Sequence, residues 1–497
     1  MQARNRVVAT AVAVTLAAVV PTATVAQDSA LGQVIEAVGG ADALNGLGSF
    51  AIEASGERIV LDQGASPDKA AEGTAFTSVS THDVAGDRMH IAYLNGPNEF
   101  GPARDVTEVV AGNVGFIAGQ DLIVAPPGSM PMLSDRATSS RIHQQLLNPH
   151  LLLIDALPDP SSASAGDGWV EIAHGATPIT LWLDDTGLIS RATTMESNPL
   201  RRDVDLVVEY GDWADAGSGI LFPGSVRVMY DGTLVHEEER TASTGVAIDD
   251  ALFATPNGVE PTFDEALAMR GEVNHQYLQS YAAVGFPQDG YKPIMAIEEV
   301  GPGVFHIAGV THNAMAVVQD DGIVIVDAPM NEVRTEAILS WVEQQGLPVT
   351  HIVLSHHHSD HSGGIRSLAG ATGATVVVGE PAVAFFEENV FGGPSDIVPD
   401  GVDGSTIEVV GVGAEPMVIG SGANPVTVYA FGNPHAEDFV LVESGGALFV
   451  VDIFSPGFGP LPPVLFDFVE SQGIEVDQVV GGHGATEPWE DLLAARE

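Results

Sequence analysis

Residues 355–364 of this chain read S-H-H-H-S-D-H-S-G-G and place four candidate metal ligands within six positions. These ligands are His356, His358, Asp360 and His361. Imidazole nitrogens and carboxylate oxygens suit zinc, and also iron or manganese. The preceding residues 351–354, H-I-V-L, are mostly apolar and predict a buried strand that ends where the ligands begin. Ligands on such a strand-to-helix turn face a cleft while the sheet holds them, so this density predicts a site for two metal ions.

Three further candidate ligands follow apolar, strand-like runs downstream. The runs cover residues 426–430, 447–451 and 476–480, and the ligands after them are His435, Asp452 and His483. A fourth run, 322–326, ends at Asp327. The order H-x-H-x-D-H, then His, Asp and His, resembles the metallo-β-lactamase superfamily of hydrolases over residues 294–497.

The resemblance implies an α/β domain, an αββα sandwich with two divalent metal ions at one edge. Zinc is the expected metal, with iron or manganese as alternatives. The implied ligands are His356, His358 and His435 for the first metal, Asp360, His361 and His483 for the second, and Asp452 as the bridge. A metal-bridging hydroxide is the implied nucleophile. Asp360 is the candidate catalytic residue, because it can also orient this hydroxide or receive its proton.

Four residues near the ligands need separate interpretations. His357 lies between two ligands, and alternation along an extended segment points it the other way, towards a structural role. Asp327 is expected to support a ligand rather than to bind metal. His312 and Asn313 lie in a predicted hairpin loop that the family topology places over the cleft. For these two residues the sequence allows two interpretations, contact with the substrate or an ordinary exposed turn.

The first 26 residues predict an exported protein. Arg4 and Arg6 precede an apolar run at 7–20, and small residues lead to Ala26, which together predict a Sec-type signal peptide cleaved after Ala26. The other apolar stretches are too short for a membrane span. The chain contains no cysteine, which excludes disulfides and a lipid-modified cysteine. We therefore expect a soluble periplasmic or secreted protein.

The charge of the chain bears on its partners. The formal net charge is −49, and the only lysines are Lys69 and Lys292. Nucleic-acid binding requires clustered Lys and Arg side chains against the phosphates, so such a surface repels RNA and DNA. The expected partner is a small-molecule substrate, with no nucleic acid.

Residues 27–262 predict an antiparallel, β-rich α+β domain. Helical patterns cover 30–47 and 139–156, the second interrupted by Pro149. Alternating runs separated by turn residues lie at 49–60, 74–94, 105–118, 169–183, 203–210 and 225–230. This outline is similar to periplasmic lipoprotein-carrier half-barrels. A scaffold or substrate-channelling role is expected for this domain, with lipid binding as the alternative. Residues 263–293 predict a helix and a linker to the hydrolase domain.

Differences from known branches of the superfamily reduce the number of reactions expected of this chain. One subclass of metallo-β-lactamases has a cysteine ligand where this chain has Asp452. Glyoxalase II-type thioesterases need glutathione, which an exported enzyme meets rarely. Diiron flavoproteins have a glutamate where this chain has His358. These comparisons favour hydrolysis of a lactone or ester. The alternatives are a β-lactam hydrolase and, from another class, a periplasmic ligand-binding protein with a vestigial metal site.

Overall fold

The computed structural model describes most of residues 30–255 and 295–495. The positions left out within these ranges are 68, 71, 98–102, 113, 120–127, 132–133, 160–162, 175–176, 199, 310–311, 393–394 and 458. The predicted signal peptide at 1–26 and the predicted connection at 263–293 lie outside the described residues, so both stay predictions. Within the described residues, no helix is long and apolar enough to cross a membrane.

One large sheet forms most of the N-terminal domain. Its strands, together with a short hairpin, are β1 (Ser49–Arg58), β2 (Thr74–Asp83), β3 (Arg88–Asn95), β4 (Arg104–Ala111), β5 (Val114–Gly119), β6 (Gly128–Pro131), β7 (Ala163–Gly166), β8 (Trp169–Ile172), β9 (Ile179–Leu183), β10 (Ile189–Asn198), β11 (Arg202–Gly211), β12 (Ala214–Asp215), β13 (Leu221–Phe222), β14 (Ser225–Tyr230) and β15 (Thr233–Thr244). Thirteen strands pair in the order β6-β5-β4-β3-β2-β1-β15-β14-β11-β10-β9-β8-β7, and β12 pairs with β13. The pairing is antiparallel, which confirms the predicted β-rich domain.

The long strand β15 was not predicted, and its inward-facing residues explain why. His236, Glu238 and Arg240 are buried on this strand at alternate positions. The Arg240 Nη1 atom lies 3.0 Å from Glu238 Oε1, so the two charges neutralise each other inside the domain. Hydrophobic alternation is the usual sign of a half-buried strand, and this strand lacks it because its buried positions are polar.

Four helices accompany the N-terminal sheet: α1 (Ala30–Ala37), α2 (Ala41–Asn45), α3 (Ser134–Leu147) and α4 (His150–Ala156). Pro149 separates α3 from α4 as predicted, because proline lacks the N–H that a continuous helix would need. The single helix predicted at 30–47 is wrong. Gly39 and Gly40 break it with φ values of 134° and 88°, in a region that glycine enters most readily. Leucines of α1 and α4 pack with the inner face of the sheet in one core.

Two buried histidines of this domain predict a pH-dependent stability. His82 stacks on Phe50 and His150 stacks on Phe222. Burial, helped by the charge of Arg240, lowers the pKa of each imidazole to about 3. Unfolded histidine titrates near 6.5, so below that pH the unfolded chain binds more protons than the folded one. Stability is therefore full above about pH 6.5 and falls with decreasing pH, by up to about 1.4 kcal/mol per pH unit for each histidine.

Urea unfolding of the full chain at a series of pH values between 7 and 5 measures this slope. The variant His82→Phe keeps the aromatic stack on Phe50 and removes one titrating group. We expect a shallower pH dependence in this variant than in the wild type. Identical slopes in the two proteins would show that His82 does not contribute to the pH dependence.

Two sheets form the centre of the C-terminal domain. The first contains β16 (Ala296–Gly301), β17 (Val304–Ala308), β18 (Ala314–Val318), β19 (Ile323–Val326), β20 (Val349–Val353), β21 (Thr375–Gly379) and β22 (Val409–Val412), in chain order. The second contains β23 (Met417–Ile419), β24 (Val426–Ala430), β25 (Val440–Ser444), β26 (Ala447–Val450), β27 (Gln478–Gly481) and β28 (Thr486–Pro488), also in chain order. Strands β19 to β22 run parallel, as do β26 and β27.

Helices cover the two sheets: α5 (Glu332–Gln345), α6 (Ser359–Ser362), α7 (Ile365–Thr372), α8 (Pro463–Gln472) and α9 (Trp489–Ala494). Strand β19 shows the layering, because Val324 and Val326 pack in the core shared with the second sheet. Ile323 and Ile325 of the same strand pack with residues of α5 and α7. Leu465 of α8 joins the core of the second sheet. The predicted α/β sandwich is confirmed.

Two segments of the N-terminal domain contact the C-terminal domain. After β10, the Asp203 carboxylate accepts hydrogen bonds from the Asp396 backbone N–H at 2.7 Å and from the Ser395 hydroxyl at 3.0 Å. Nearby Leu200 packs within the core of the C-terminal domain. The second segment follows β1 and reaches the candidate ligands.

Candidate metal centre

The candidate ligands lie where strands of the two sheets end. Strands β19 and β20 are parallel neighbours, so Asp327 and the segment starting at Ser355 emerge side by side. Strands β26 and β27 are also parallel neighbours, and Asp452 and His483 follow them. The carboxyl ends of parallel strands form the usual crevice for ligands in α/β proteins.

Two carboxylates at this edge have an unusual backbone conformation. Asp327 has φ 66° and Asp452 has φ 45°, both in the left-handed region. This conformation costs an L-residue other than glycine roughly 1–2 kcal/mol. Such strain is held by the surrounding structure and is concentrated at functional sites. The same conformation occurs at four other described aspartates, Asp62, Asp87, Asp212 and Asp231, so it does not by itself distinguish the two carboxylates of the site.

The first cluster contains three histidines and one aspartate, His356, His358, His435 and Asp452. Their ligand atoms lie within 4.8 Å of one another, close to the span of two metal–ligand bonds of about 2.0–2.3 Å each. The Asp452 Oδ2 atom lies 3.1 Å from His356 Nε2 and 3.0 Å from His435 Nε2. The two imidazole nitrogens are 3.3 Å apart. These four side chains converge on one point.

A second cluster lies on the other side of Asp452 and contains His312, His361 and His483. Their ligand atoms also lie within 4.8 Å of one another. The Asp452 Oδ1 atom lies 2.7 Å from His483 Nε2, and its Oδ2 atom lies 3.3 Å from His361 Nε2. One carboxylate thus touches imidazoles of both clusters, in the position expected of a bridge.

His312 is the member of this cluster that sequence reasoning left open. It is 5% exposed, so the interpretation as an ordinary exposed turn is wrong. Its Nε2 atom lies 3.0 Å from Asp360 Oδ2, and its ring centroid lies 4.4 Å from that of His483. The hairpin between β17 and β18 carries His312 into the site. Only its position in a loop before the Asp327 strand hinted at this role.

Asn313 fixes this hairpin to the loop that carries His483. Its side-chain amide donates to the carbonyl oxygens of Gly481 and Gly484, each at 2.9 Å. Its own carbonyl accepts from the Gly309 N–H at 3.0 Å. Asn313 is buried as well. Its hydrogen bonds point to a positioning role for this residue, in place of the substrate contact that the sequence left open.

Asp327 holds the ligand loop through hydrogen bonds. Its carboxylate accepts from the Ser355 backbone N–H at 2.7 Å and from the Ser355 hydroxyl at 3.0 Å. The Nδ1 atom of His361 lies 3.1 Å from the second oxygen. An imidazole that donates from Nδ1 presents Nε2 as a lone pair, which is the form that binds a metal. The contacts agree with the supporting role predicted for Asp327.

Replacing Asp327 with asparagine is therefore expected to weaken metal binding. The side chain would keep one acceptor and gain an NH₂ group, which cannot accept the His361 Nδ1–H. Loss of such a supporting contact typically costs about 10–100-fold in metal affinity. Zinc titration against a competing chelator measures the loss. Glu238→Gln is the matched control, because it changes another buried carboxylate that is paired with an imidazole, in the N-terminal sheet and outside both clusters. Equal zinc affinity in Asp327→Asn and wild type would contradict the role.

His357 points away from both clusters, as alternation along the segment predicts. Its Nδ1 atom lies 2.7 Å from Asp438 Oδ1, and both side chains are buried. Its ring also contacts Phe385, with centroids 6.2 Å apart. His357 thus anchors the ligand loop to the neighbouring layer.

The electrostatics of the centre fit a cation. Burial alone would raise the pKa of Asp452 and Asp360, but the charge of His361 holds the pKa of both carboxyls well below its usual range. Burial lowers the pKa of His356 well below its usual value and lowers that of His358 to about 4. The site therefore combines ionised carboxylates with neutral imidazoles at His356 and His358, the protonation states that a divalent metal requires of its ligands.

His361 gives a further indication of a metal. Its Nε2 atom is buried and makes no hydrogen bond to any described residue, although Asp452 Oδ2 lies 3.3 Å away. Burial opposes its protonation, but Asp452 and Asp360 raise the pKa of this imidazole well above its usual value. A cation at this point would offset the same carboxylates in place of the proton. The donor set and this unsatisfied nitrogen both fit a bound metal.

One part of the site was not predicted from the sequence. Gln63 and Gly64, in the segment after β1, reach the ligand residues Asp360 and His358. Residues 61–67 read L-D-Q-G-A-S-P, a pattern typical of any surface loop. No signal in the sequence connects this loop with residues almost 300 positions away.

Comparison with known families agrees with the geometry. Residues 307–484 match the model of the Metallo-beta-lactamase superfamily. The predicted resemblance is confirmed for this region, and the C-terminal domain has the metallo-β-lactamase fold. The superfamily match and the two clusters of potential ligands together indicate a dinuclear metal site. The individual ligand assignments stay predictions, as does the likeness of the N-terminal domain to lipoprotein-carrier half-barrels.

Two curated proteins are similar to short parts of the chain. Metallo-beta-lactamase type 2 from Pseudomonas aeruginosa is 32% identical over 85 residues, which are 15% of this chain and 35% of that protein. Hydroxyacylglutathione hydrolase from Albidiferax ferrireducens is 36% identical over 66 residues, which are 13% of this chain and 25% of that protein. The chain thus spans about a third and a quarter of these relatives.

Solved structures similar to the chain include two metallo-β-lactamases and a flavoprotein. DIM-1 metallo-beta-lactamase is 18% identical, with 41% of this chain and 96% of that chain covered and a TM-score of 0.32. The metallo-beta-lactamase from Pontibacter korlensis is 20% identical, with 41% and 97% covered and a TM-score of 0.31. The flavoprotein from Thermotoga maritima is 14% identical, with 41% and 61% covered and a TM-score of 0.32.

Proposed function

We propose that this chain, whose C-terminal domain has the metallo-β-lactamase fold, is an exported dinuclear metal-dependent hydrolase. Its substrate is a small carbonyl compound, a lactone or ester first, and its metals are two divalent ions, with zinc preferred over iron or manganese. The observation that carries this proposal is the position of Asp452 between two clusters of imidazoles. A hydrolytic site with two metals needs such a shared carboxylate to hold two cations close together.

The ligands divide between the two metals as the resemblance implies. His356, His358 and His435 hold the first ion, and Asp360, His361 and His483 hold the second. His312 lies among the second set and is available to it. Metal ions held there would supply an acidified water and polarise the carbonyl of the substrate.

Asp360 is placed to move a proton in this scheme. Its Oδ2 atom lies 3.0 Å from His312 Nε2 and 3.8 Å from His361 Nε2, between the second cluster and the neighbouring domain. The charge of His361 and the hydrogen bond from His312 offset burial and lower the pKa of Asp360. An ionised carboxylate there can receive the proton of the attacking water and later pass it to the leaving oxygen.

A β-lactam amide is the second candidate substrate. The similarity to the Pseudomonas aeruginosa metallo-β-lactamase favours it. The aspartate at position 452, in a chain without cysteine, argues against the branch that uses a cysteine ligand. The net charge of −49 supports a small-molecule substrate over nucleic acid.

An activity screen with the zinc-loaded protein tests the proposal. The substrates are lactones, aryl esters, phosphoesters and β-lactams, and bound metal is counted by elemental analysis. We expect close to two zinc ions per chain and the highest kcat/KM with lactones or esters. A higher kcat/KM with β-lactams would select the second candidate. Substoichiometric metal without hydrolysis would instead fit a binding protein with a vestigial site.

A further inference from the structure

A loop of the N-terminal domain lies directly against the candidate metal ligands. This inserted loop, residues 61–67, follows β1, and its residues are buried except for Ala65. The Gln63 side-chain amide donates to Asp360 Oδ1 at 2.8 Å. The Gly64 carbonyl oxygen lies 2.9 Å from His358 Nε2. The N-terminal domain thus contacts a predicted ligand of each metal.

Backbone hydrogen bonds fasten the inserted loop to both ligand-bearing segments. The Ser359 N–H donates to the Asp62 carbonyl at 3.2 Å, beside the first four ligands. The Glu437 N–H donates to the Ala65 carbonyl at 2.7 Å, two residues after His435. The loop therefore bridges the two segments of the C-terminal domain that carry the three histidines of the first cluster.

A buried ion pair holds the inserted loop in place from its own domain. Asp62 is 1% exposed and accepts from Arg201 Nε, with distances of 2.8 and 2.9 Å to its two oxygens. The guanidinium group of Arg201 also stands 5.0 Å from the centroid of the Phe385 ring in the C-terminal domain. Gly64 completes the turn, since a Cβ at this position would lie 2.0 Å from the Lys69 carbonyl oxygen. The conformation of this loop is therefore held by the ion pair with Arg201 and by the close packing at Gly64.

The contact with Gly64 determines which nitrogen of His358 is free. A carbonyl oxygen can only accept, so His358 must donate its Nε2–H to Gly64. The neutral imidazole then carries its lone pair on Nδ1, and this nitrogen is the one available to a metal. Without the loop, this hydrogen bond would be absent and would no longer select one tautomer of His358.

The contact with Gln63 orients Asp360. One oxygen of this carboxylate accepts from Gln63 Nε2 and the other lies against His312 Nε2. The carboxylate is therefore held between the two domains, with one partner in each. A ligand or proton acceptor needs its oxygens at fixed positions, and the amide of Gln63 supplies half of this restraint.

We propose that the inserted loop is an integral part of the hydrolytic site, in which Gly64 and Gln63 are positioning residues for His358 and Asp360. This inference rests on the proposed function, and it gives the N-terminal domain a direct role in metal binding. The hydrolase domain alone would then have an incomplete site, because two of its ligands depend on contacts from the other domain.

Three variants of the full-length protein test this proposal. Gly64→Ala displaces the turn and its carbonyl, and Gln63→Ala removes the amide without changing the backbone. Lys69→Ala is the matched control, because this exposed residue of the same connection is 3.8 Å from the exposed Glu437 and touches no ligand. The readouts are zinc affinity against a competing chelator, the visible spectrum of the cobalt(II)-substituted protein, the melting temperature, and kcat and KM.

We expect Gly64→Ala to bind zinc about 10–100-fold more weakly and to change the cobalt spectrum, as for other contacts that orient a ligand. Gln63→Ala should lower kcat about 10-fold with little change in KM, because the proton acceptor loses its restraint. Lys69→Ala should match the wild type in every readout. Wild-type zinc affinity and cobalt spectra in both loop variants would overturn the proposal.

The zinc and cobalt readouts need no substrate, so they separate this proposal from the proposed function. If the wild type binds two zinc ions but hydrolyses none of the substrates, weaker zinc binding in Gly64→Ala still supports the role of the loop. If the wild type binds no zinc, both proposals fail together. If Gly64→Ala does not fold, an unchanged cobalt spectrum together with an unchanged kcat in Gln63→Ala overturns the positioning role.

Discussion

Asp452→Ala is expected to lose one or both metal ions and, with them, hydrolytic activity. The carboxylate of Asp452 contacts His356, His435 and His483 at 3.1, 3.0 and 2.7 Å, so it touches imidazoles of both clusters. Its removal would leave two divalent cations close together without the negative charge between them. Removing a contact that supports a ligand typically lowers metal affinity about 10–100-fold. The loss of metal affinity in Asp452→Ala should be larger, because the ligand itself is removed. Elemental analysis after exhaustive dialysis measures the bound metal.

Asp491→Ala serves as the matched control for this experiment. Asp491 is an exposed aspartate on α9, and its removal changes the net charge by the same amount as the change at Asp452. This control should keep two metal ions and full activity. Full metal occupancy in Asp452→Ala would exclude the bridging role, whatever happens to the activity.

Asp360→Asn is expected to lower kcat much more than it raises KM. General-base catalysis by a side chain typically contributes about 10²–10⁴-fold, which sets the size of the loss. An interaction made mainly in the transition state shows this pattern, because substrate binding does not depend on it. Asparagine keeps the size of the side chain and one oxygen, so the comparison isolates the lost negative charge. Steady-state kinetics on a variant with confirmed metal content measures both constants.

Hydrolysis in ¹⁸O-labelled water adds a check on the route. A nucleophile derived from water places the label in the product acid within a single turnover. A near-normal kcat in Asp360→Asn with both metals bound would show that the reaction needs no help from this carboxylate. A trapped acyl-enzyme would place the nucleophile on the protein and overturn the two-metal scheme.

The predictions from sequence succeeded where the signal is local. Helix α5 shows such a local signal, because Asn331 caps its first turn through its side chain. The break at Pro149 needs only the missing N–H of that residue. The strand β14 shows clear alternation of buried and exposed residues. In each case neighbouring residues carry all the information.

The predictions were incomplete where contacts with other side chains determine whether a residue is buried. Strand β15 buries His236, Glu238 and Arg240, whose polar side chains pair with one another, while Arg240 also donates to the carbonyl oxygens of Pro223 and Leu147. The buried position of His312 depends on the hydrogen bonds of Asn313 to the loop around His483. Neither arrangement follows from the hydrophobic pattern of the sequence, because polar pairs bury the residues of β15 and the partners of Asn313 lie in a distant loop.

The sequence by itself determined the candidate ligands, since a compact H-x-H-x-D-H motif followed by His, Asp and His at strand ends has few other chemical uses. Tertiary structure alone decided which other groups surround them. Packing between elements brings His312 into the second cluster. Packing between the domains creates the contacts of Gln63 with Asp360 and of Gly64 with His358. Ligand identity is set by side-chain chemistry at fixed positions, whereas the tautomer and orientation of each ligand are set by contacts that only the folded chain creates.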